Sequence, residues 1–232
     1  MIQKIIENIL DENFIYGFAD LNGLLLPKFS DFSYGVSIGR KLDDKIIDLI
    51  EDGPTFEYLE HYNFINSELA KVTQLISNEL NKANISNLVV SPTISVLSEG
   101  YKGFIDNLTY EISHKLIATR AGLGWIGKTD LLVTKRFGPR LRLASLLLRE
   151  KPEFINKPIN KSRCGKCSIC VEKCPAQAAN GILWNVNIYR DMFFDAHKCK
   201  ENCSKISQKN LNEKHLICGI CISVCPVGKS ST

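Results

Sequence analysis

The chain has 232 residues, which suffice for one large domain or for a domain with a small module. Its composition, 44% hydrophobic and 23% charged, is that of an ordinary globular protein. No apolar run approaches the roughly 18 residues that a membrane-spanning helix needs. The formal net charge of +4 would by itself favour an anionic partner such as nucleic acid. Residues 1–12 interrupt their apolar positions with acidic ones, which predicts an amphipathic helix rather than a signal peptide, and hence a cytoplasmic protein.

The first 150 residues predict a mixture of helices and strands. Apolar residues at helical spacing predict helices over 2–10, 42–51, 56–82 and 110–120. Short apolar runs predict strands over 14–19, 34–38, 88–90, 131–134 and 141–148. Residues 93–108 are weakly patterned and are predicted to form a loop, where binding groups often lie.

The cysteines are confined to the carboxyl-terminal part of the chain. All nine follow residue 163, and a proline-containing linker over 150–163 precedes them. This asymmetry predicts two domains, 1–150 and 151–232. The expected fold class is α+β, with a mixed α/β domain followed by a bacterial ferredoxin-like domain.

Two cysteine runs carry the clearest chemical signal. Cys164 to Pro175 reads C-x2-C-x2-C-x3-C-P, which is the bacterial ferredoxin pattern, and Cys218 to Pro226 reads C-x2-C-x3-C-P. Zinc sites also use C-x2-C pairs, but three cysteines at x2-x2 spacing crowd a single ion. Both runs also end in Cys-Pro. The sequence therefore predicts two [4Fe–4S] clusters, with a zinc-stabilised module as the alternative.

The spacing also predicts how the cysteines divide between the clusters. In two-cluster ferredoxins the fourth cysteine of a run binds the neighbouring cluster. The first set is then Cys164, Cys167, Cys170 and Cys225. The second set is Cys174, Cys218, Cys221 and Cys199, with Cys203 as the alternative to Cys199. Apolar residues near the runs are expected to bury the clusters: Ile169, Val171, Ile182, Leu183, Trp184, Ile217, Ile220, Ile222 and Val224.

The cluster prediction changes the meaning of the net charge. Eight thiolates and two oxidised cluster cores bring the loaded protein close to neutrality, so its bulk charge does not indicate nucleic acid. Residues 135–166 nevertheless hold ten lysines and arginines against Glu150 and Glu153. We expect a solvated basic face that balances the clusters, with a phosphate- or RNA-facing strip as the alternative.

A glycine-rich segment precedes one of the predicted strands: Ala121-Gly122-Leu123-Gly124-Trp125-Ile126-Gly127-Lys128. It has neither the Walker A spacing nor the strand–turn–helix context of a dinucleotide fingerprint. Together with the two cysteine runs, it resembles the epoxyqueuosine reductase family, well over 110–228 and loosely over 1–109.

This resemblance implies a cobalamin-dependent enzyme in which a corrinoid-binding domain precedes a double [4Fe–4S] domain. It also implies an external electron donor such as a flavodoxin or ferredoxin. The corrinoid contacts implied by the resemblance are Gly122, Gly124, Trp125, Gly127 and Lys128. A purely structural turn is the alternative for these residues.

The resemblance is incomplete in two places. The family enzymes carry a helical-repeat region after the clusters that helps to hold tRNA, whereas this sequence ends at Thr232. Their catalytic aspartate would fall near Leu108, which cannot donate a proton. The candidate substitutes are Asp106, Tyr110, Glu111 and His114. The substrate is therefore unassigned, and tRNA is one candidate partner.

Three functions compete at this point. The leading hypothesis is an oxidoreductase that passes electrons through two clusters to a corrinoid, or another acceptor, in the first domain. The second is a non-catalytic electron carrier or reductive activator that docks on a partner corrinoid protein. The third is a zinc-stabilised RNA-binding module.

Overall fold

A computed structural model describes residues 1–94 and 101–229, and the chain divides into two compact units. The first, the sheet unit, comprises Met1–Lys41, Ile65–Leu123 and Arg142–Ile159. The second, the cysteine unit, comprises Leu42–Phe64, Gly124–Leu141 and the chain from Asn160 onward. The predicted boundary at residue 150 followed composition and stays a prediction, whereas these units follow spatial proximity and are discontinuous along the chain.

The described residues form a mixed α/β fold. The helices are α1 (Ile2–Glu7), α2 (Asp44–Asp48), α3 (Phe56–Lys82), α4 (Tyr101–Asn107), α5 (His114–Arg120), α6 (Ile169–Glu172), α7 (Ala196–Leu211) and α8 (Ile220–Ser223). The strands are β1 (Phe14–Asp20), β2 (Tyr34–Lys41), β3 (Asn87–Val90), β4 (Gly124–Ile126), β5 (Leu132–Thr134) and β6 (Leu141–Leu148). Among the described helices, none combines the length and the apolar composition that a bilayer span requires.

The sheet unit is built on four strands in the order β1-β2-β6-β3. Strands β1 and β2 are antiparallel and in register from Phe14 opposite Arg40 to Asp20 opposite Tyr34. Strand β6 is also antiparallel to β3 and is almost continuously buried, which explains why its sequence is apolar without alternation. Helix α5 packs on β1 and β2, so that its apolar side chains complete the core there.

Two sequence predictions need correction in this fold. Part of the predicted loop over 93–108 is helix α4, whereas residues 95–100 lie outside the described part of the chain. The glycine-rich segment contains strand β4, which pairs with β5 as an antiparallel hairpin from Gly124 opposite Thr134 to Ile126 opposite Leu132. A three-residue strand is too short to produce a readable apolar alternation.

The cysteine unit has little regular structure. Helices α6 and α8 have four residues each and begin inside the two cysteine runs. The longer helix α7 begins after Asp195, whose carboxylate caps the helix by accepting a hydrogen bond from the Lys198 amide at 2.9 Å. Most of the unit is therefore held by turns and by contacts among its loops.

The apolar residues that are predicted to bury the clusters differ in exposure, and their contact with the clusters stays a prediction. Ile217 and Ile220 are buried, but the exposed fractions of Ile169, Ile182 and Leu183 are 40%, 48% and 41%. The segment that contains Ile182 and Leu183 is held by an isolated bridge between Lys161 and Asn185 rather than beneath another layer. The apolar composition of this segment therefore did not indicate burial.

Candidate functional site

Four thiols from both ends of the cysteine region come together. Burial, and then electrostatic interaction with Cys225 and Cys164, raises the pKa of Cys170 to about 11. A weaker interaction with Cys167 acts in the same direction. Burial likewise raises the pKa of Cys225, with contributions from Cys164 and Cys167. Thiols that influence each other's ionisation in this way are close in space, and these four are the first predicted set.

The remaining five thiols form a second group. Burial raises the pKa of Cys218, and electrostatic interactions with Cys199 and Cys174 add to the shift. Burial also raises the pKa of Cys221, which interacts with Cys218 and Cys199 and, more weakly, with Cys170 of the first set. The group thus joins Cys174, the last cysteine of the first run, to the second run. Cys203 interacts with Cys218 and Cys221 as well.

Cys199 and Cys203 lie one turn apart on α7, with their Sγ atoms 4.0 Å from each other. The hydrogen bond between them lowers the pKa of Cys199 and raises that of Cys203, which is also buried. Either thiol can donate in this contact, and the direction of the two shifts makes the thiolate form more readily at Cys199 than at Cys203. This arrangement favours Cys199 as the thiolate ligand, although the ligand assignment of all nine cysteines stays a prediction.

The donor set fits iron–sulfur clusters better than single metal ions. Seven of the nine thiols are partly buried, Cys167 is exposed and Cys203 is buried, and cysteine thiolates are the ligands of [4Fe–4S] clusters. Within the described part of the chain, no three Cys, His, Asp or Glu side chains converge closely enough to hold one metal ion. Tetrahedral zinc requires such convergence, whereas a cluster binds each thiolate at a separate iron corner.

The hairpin of β4 and β5 brings the glycine-rich segment against the cysteines. The Trp125 indole nitrogen donates a hydrogen bond to Cys164 Sγ at 3.3 Å, and Lys128 Nζ donates one to the Cys167 carbonyl at 2.8 Å. Interaction with the nearby Thr129 side chain lowers the pKa of Cys170 and of Cys221 against the larger effect of burial. Thr129 was absent from the sequence prediction, because nothing in its local sequence distinguishes it.

The three glycines of this segment all have structural reasons for their identity. Gly122 adopts a φ of +67°, and a Cβ there would lie 2.6 Å from the Lys157 carbonyl oxygen. A Cβ on Gly124 would collide with the Val133 carbonyl across the hairpin, and one on Gly127 would lie 3.0 Å from the Val133 side chain. These contacts match the structural-turn alternative, and corrinoid contact by the segment stays a prediction.

Three of the four candidate proton donors are found near the surface of the sheet unit. Asp106 is exposed on α4. The Tyr110 hydroxyl accepts a hydrogen bond from the Ile94 amide at 3.2 Å, and Glu111 forms a half-exposed ion pair with Lys28 at 2.5 Å. The contacts of Tyr110 and Glu111 are with different residues and do not assemble the candidates into one catalytic group.

His114, the fourth candidate, uses both ring nitrogens within the sheet unit. Nε2 lies 2.8 Å from the Ser91 carbonyl oxygen and Nδ1 lies 2.9 Å from Ser145 Oγ. A carbonyl can only accept, so Nε2 carries the proton and Nδ1 accepts from the Ser145 hydroxyl. Burial, reinforced by the Arg142 charge, lowers the pKa of His114 to about 4. The ring is therefore neutral near pH 7, and its hydrogen bonds are those of a structural histidine.

Comparison with known proteins identifies the cysteine region. The family described as "4Fe-4S double cluster binding domain" matches residues 163–228, which contain all nine cysteines. The epoxyqueuosine reductase of Cyclobacterium marinum is 33% identical over 122 residues, which cover 49% of this chain and 36% of that enzyme. The chain thus matches about a third of the length of this curated relative.

Solved structures share the fold over nearly the whole chain. A reductive dehalogenase, whose structure suggests a mechanism for B12-dependent dehalogenation, has a TM-score of 0.71 and 17% identity, covering 100% of this chain and 32% of that one. An epoxyqueuosine reductase in complex with an epoxyqueuosine-modified tRNA stem loop has a TM-score of 0.61 and 16% identity, covering 98% and 64%. The chain therefore contains a 4Fe-4S double cluster binding domain at residues 163–228 and is similar in sequence, over about half of its length, to epoxyqueuosine reductases.

Proposed function

We propose that this protein is an iron–sulfur oxidoreductase that passes single electrons through two [4Fe–4S] clusters to a corrinoid held by the first 150 residues. The observation that carries this proposal is the division of the thiols into two groups, in which each run contributes a cysteine to the other group. Two clusters held in one compact unit form an electron-transfer chain rather than a purely structural metal site.

The proposed ligands follow the two groups of thiols. Cys164, Cys167, Cys170 and Cys225 would hold the first cluster. Cys174, Cys199, Cys218 and Cys221 would hold the second. The partial burial of all these thiols except Cys167 limits water around the clusters, and the Lys128 side chain holds the loop backbone at Cys167.

The corrinoid part of the proposal is supported by likeness to other proteins. The dehalogenase with the same fold acts in B12-dependent chemistry, and the curated relatives are epoxyqueuosine reductases. A bound corrinoid supplies low-valent cobalt for reductive chemistry, while the protein positions it and delivers electrons. We propose a flavodoxin or ferredoxin as the external donor, a tRNA as the candidate substrate, and the cytoplasm as the compartment, since its reducing conditions preserve thiols.

Anaerobic reconstitution with iron, sulfide and cobalamin tests the proposal directly. We expect about eight iron atoms per chain, cluster EPR signals after reduction, and a change in the cobalamin absorption spectrum that saturates at one equivalent. A colourless protein that binds zinc and no iron would contradict the oxidoreductase and favour the zinc-stabilised module. An iron-loaded protein that leaves the cobalamin spectrum unchanged would contradict the corrinoid acceptor.

The second candidate is an electron carrier or reductive activator that reduces a partner corrinoid protein. It is favoured by the absence of an acid at Leu108, where the related enzymes have their catalytic aspartate, and by the neutral, fully hydrogen-bonded ring of His114. It predicts cluster loading without cobalamin binding, together with electron transfer to a separately purified corrinoid protein. Cobalamin binding by this chain alone would contradict it.

Substitution can decide whether Cys199 or Cys203 is the cluster ligand. Cys199→Ser should remove one cluster, so that iron falls to about half, because it removes a proposed ligand. Cys203→Ser should keep both clusters, because the lowered pKa of Cys199 and the raised pKa of Cys203 favour Cys199 as the thiolate ligand. The reverse pattern in iron content and EPR signals would make Cys203 the ligand.

A further inference from the structure

The connection between β4 and β5 contains a buried lysine. This connection is a tight turn in which the Asp130 amide donates to the Gly127 carbonyl at 3.1 Å, and Lys128 is one of its two central residues. The exposed fraction of Lys128 is only 6%. Lysine is almost never buried to this extent unless its ammonium group is paired, because removal of a charge from water is costly. The burial of Lys128 therefore predicts an anion near its side chain.

The described part of the chain does not supply that anion. Lys128 Nζ donates a hydrogen bond to the Cys167 carbonyl oxygen at 2.8 Å, and this acceptor carries no net charge. Within residues 1–94 and 101–229, no aspartate or glutamate carboxylate forms an ion pair with Lys128. The ammonium group is thus held beside the first cysteine run without a counter-charge from these residues.

A cluster bound by the first set of thiols has the required charge. Four thiolates around an oxidised core of charge about +2 leave a net charge of about −2. Cys167 belongs to this set, and bond lengths keep the carbonyl oxygen and the sulfur of one cysteine within about 5 Å. Lys128 Nζ therefore lies within about 8 Å of a proposed ligand sulfur. The same hairpin also contacts this run at Cys164, whose sulfur accepts the Trp125 indole hydrogen bond at 3.3 Å.

We propose that Lys128 is the buried counter-charge of the first cluster and that its ammonium group raises the reduction potential of this cluster. This inference rests on the proposed function, because it takes the first set of thiols to be cluster ligands. Lys128 does not ligate iron, and it acts through its charge beside the loop at Cys167. This role differs from the corrinoid contact that the family resemblance implies for Lys128.

The direction of the effect follows from charge. Reduction transfers one electron to the cluster and makes its net charge more negative by one unit. A nearby cation stabilises the reduced form more than the oxidised form and therefore raises the potential. Because Lys128 is buried, little water surrounds it to screen this attraction. Coulombic attraction weakens with distance, so the first cluster should respond more strongly than the second to the loss of this charge.

The experiment is an anaerobic potentiometric titration of the iron-loaded full chain with dithionite, followed by EPR at low and at high salt. Lys128→Met removes both the charge and the hydrogen bond, whereas Lys128→Gln removes the charge and keeps an N–H donor. Lys166→Met is the matched control, because Lys166 directly precedes Cys167 but is exposed. Water and salt screen its charge, so it removes a lysine beside the same loop without removing a buried cation.

We expect Lys128→Met to lower one midpoint potential by an amount of the order of a tenfold change in the reduction equilibrium, which is about 59 mV for one electron. The other potential should change much less. Lys128→Gln should lower the same potential by a similar amount, because it also lacks the charge. Lys166→Met should change neither potential. The difference between the wild type and Lys128→Met should be the same at both salt concentrations, because the charge is buried.

The outcomes separate this inference from the function on which it rests. A wild-type protein without two clusters would contradict the proposed function itself. Two clusters in the wild type, with unchanged potentials in Lys128→Met and Lys128→Gln, would leave that function intact and overturn the role of Lys128. A lowered potential in Lys128→Met alone would assign the effect to the hydrogen bond and overturn the counter-charge.

A further variant decides the case in which both neutral variants fail to hold iron. Lys128→Arg keeps the positive charge at this position. Two clusters with potentials close to those of the wild type in Lys128→Arg would support the counter-charge. A lowered potential in Lys128→Arg, or a loss of iron as in the neutral variants, would overturn it.

Discussion

The two compact units are stabilised by different means. The sheet unit has a core of its own apolar side chains, including Phe18, Val36 and Ile38 on β1 and β2 and Leu146 and Leu147 on β6, all fully buried. The cysteine unit also buries apolar side chains, such as Leu42, Ile50 and Phe193, but many of its loops carry cysteines, and it holds nine free thiols. We therefore expect cluster ligation to hold the cysteine loops in addition to hydrophobic burial, whereas the sheet unit relies on burial alone.

The two units also differ in their ionisable groups. In the sheet unit, His114 is neutral and its ring nitrogens are satisfied by Ser91 and Ser145. In the cysteine unit, burial raises the pKa of Cys170, Cys221 and several other thiols, so that without iron they remain protonated. Binding of iron has to release these protons, which couples cluster assembly to the ordering of this unit.

The largest expected effect is that of cluster removal. Chelation of iron under reducing conditions should raise hydrogen exchange over residues 163–229 to near that of an unfolded chain, because the loops lose their common ligand. Strand β6 should keep its protection, because it is buried within the sheet unit. Exchange followed by mass spectrometry measures both regions in one sample. Equal protection of residues 163–229 before and after chelation would contradict the expectation that cluster ligation holds the cysteine loops.

The next largest effect concerns a buried arginine of the cysteine unit. Arg140, 1% exposed, pairs with Asp44 at 3.0 Å and Asp48 at 2.6 Å and donates to the Ser223 carbonyl at 3.2 Å. Arg140→Met should lower the free energy of unfolding by about 3 kcal/mol, because it leaves these acceptors without their cation.

The matched control for Arg140 lies in the sheet unit. Arg149 pairs with Asp31 at 2.8 Å, but both side chains are more than half exposed. Arg149→Met should therefore cost no more than about 1 kcal/mol. Urea denaturation of the iron-loaded protein under anaerobic conditions measures both variants. A similar loss in the two would show that burial of Arg140 is not what makes its ion pairs stabilising.

A smaller effect tests close packing within the sheet unit. A Cβ on Gly17 would lie 2.5 Å from the Ala121 carbonyl oxygen, which belongs to the backbone and cannot move aside freely. Gly17→Ala should cost about 2 kcal/mol. The matched control is Gly103→Ala in α4, where open space surrounds the new methyl group and the higher helix propensity should add up to about 1 kcal/mol. Thermal unfolding followed by circular dichroism distinguishes the destabilisation expected for Gly17→Ala from the stabilisation expected for Gly103→Ala.

The smallest effect is a pH dependence in the sheet unit. Burial, and then Arg142, lowers the pKa of His114 from 6.5 to about 4, against the opposing hydrogen bond to Ser91. The unfolded chain therefore binds a proton that the folded chain does not, and stability should fall as the pH drops from about 6.5 towards 4.

Substitution of His114 isolates its contribution to the pH dependence of the free energy of unfolding. In His114→Gln, the loss of unfolding free energy between pH 6.5 and 5.5 should be smaller than in the wild type by about 1 kcal/mol. Urea denaturation at each pH, followed by circular dichroism, gives the two slopes. Identical slopes would mean that His114 is protonated equally in the folded and unfolded chains.

Much of the fold could be predicted because its signals are local. The 27 residues of α3 and the apolar run of β6 appear where their patterns predicted them. The grouping of Cys225 with the first run and of Cys174 with the second also follows the predicted exchange, although their roles as ligands stay predictions. These features depend on periodicity and spacing within a few residues.

Other features could not be predicted because they depend on distant partners. The exposure of Ile182 and Leu183 reflects what packs over them, which their own sequence does not specify. Whether His114 is a proton donor or a structural residue depends on Ser91 and Ser145, which lie on other segments. A residue type limits the chemistry that a position can perform, and its neighbours decide which chemistry is available.

The amino-acid sequence by itself determined the types of the main elements and the thiol chemistry of the carboxyl-terminal region, because helical periodicity and ligand spacing are local properties. The tertiary structure decided that residues 42–64 and 124–141 join the cysteines in one unit. It also decided that the Trp125 indole donates to the Cys164 sulfur. Such contacts join positions that are distant along the chain, and only folding brings them within hydrogen-bonding distance.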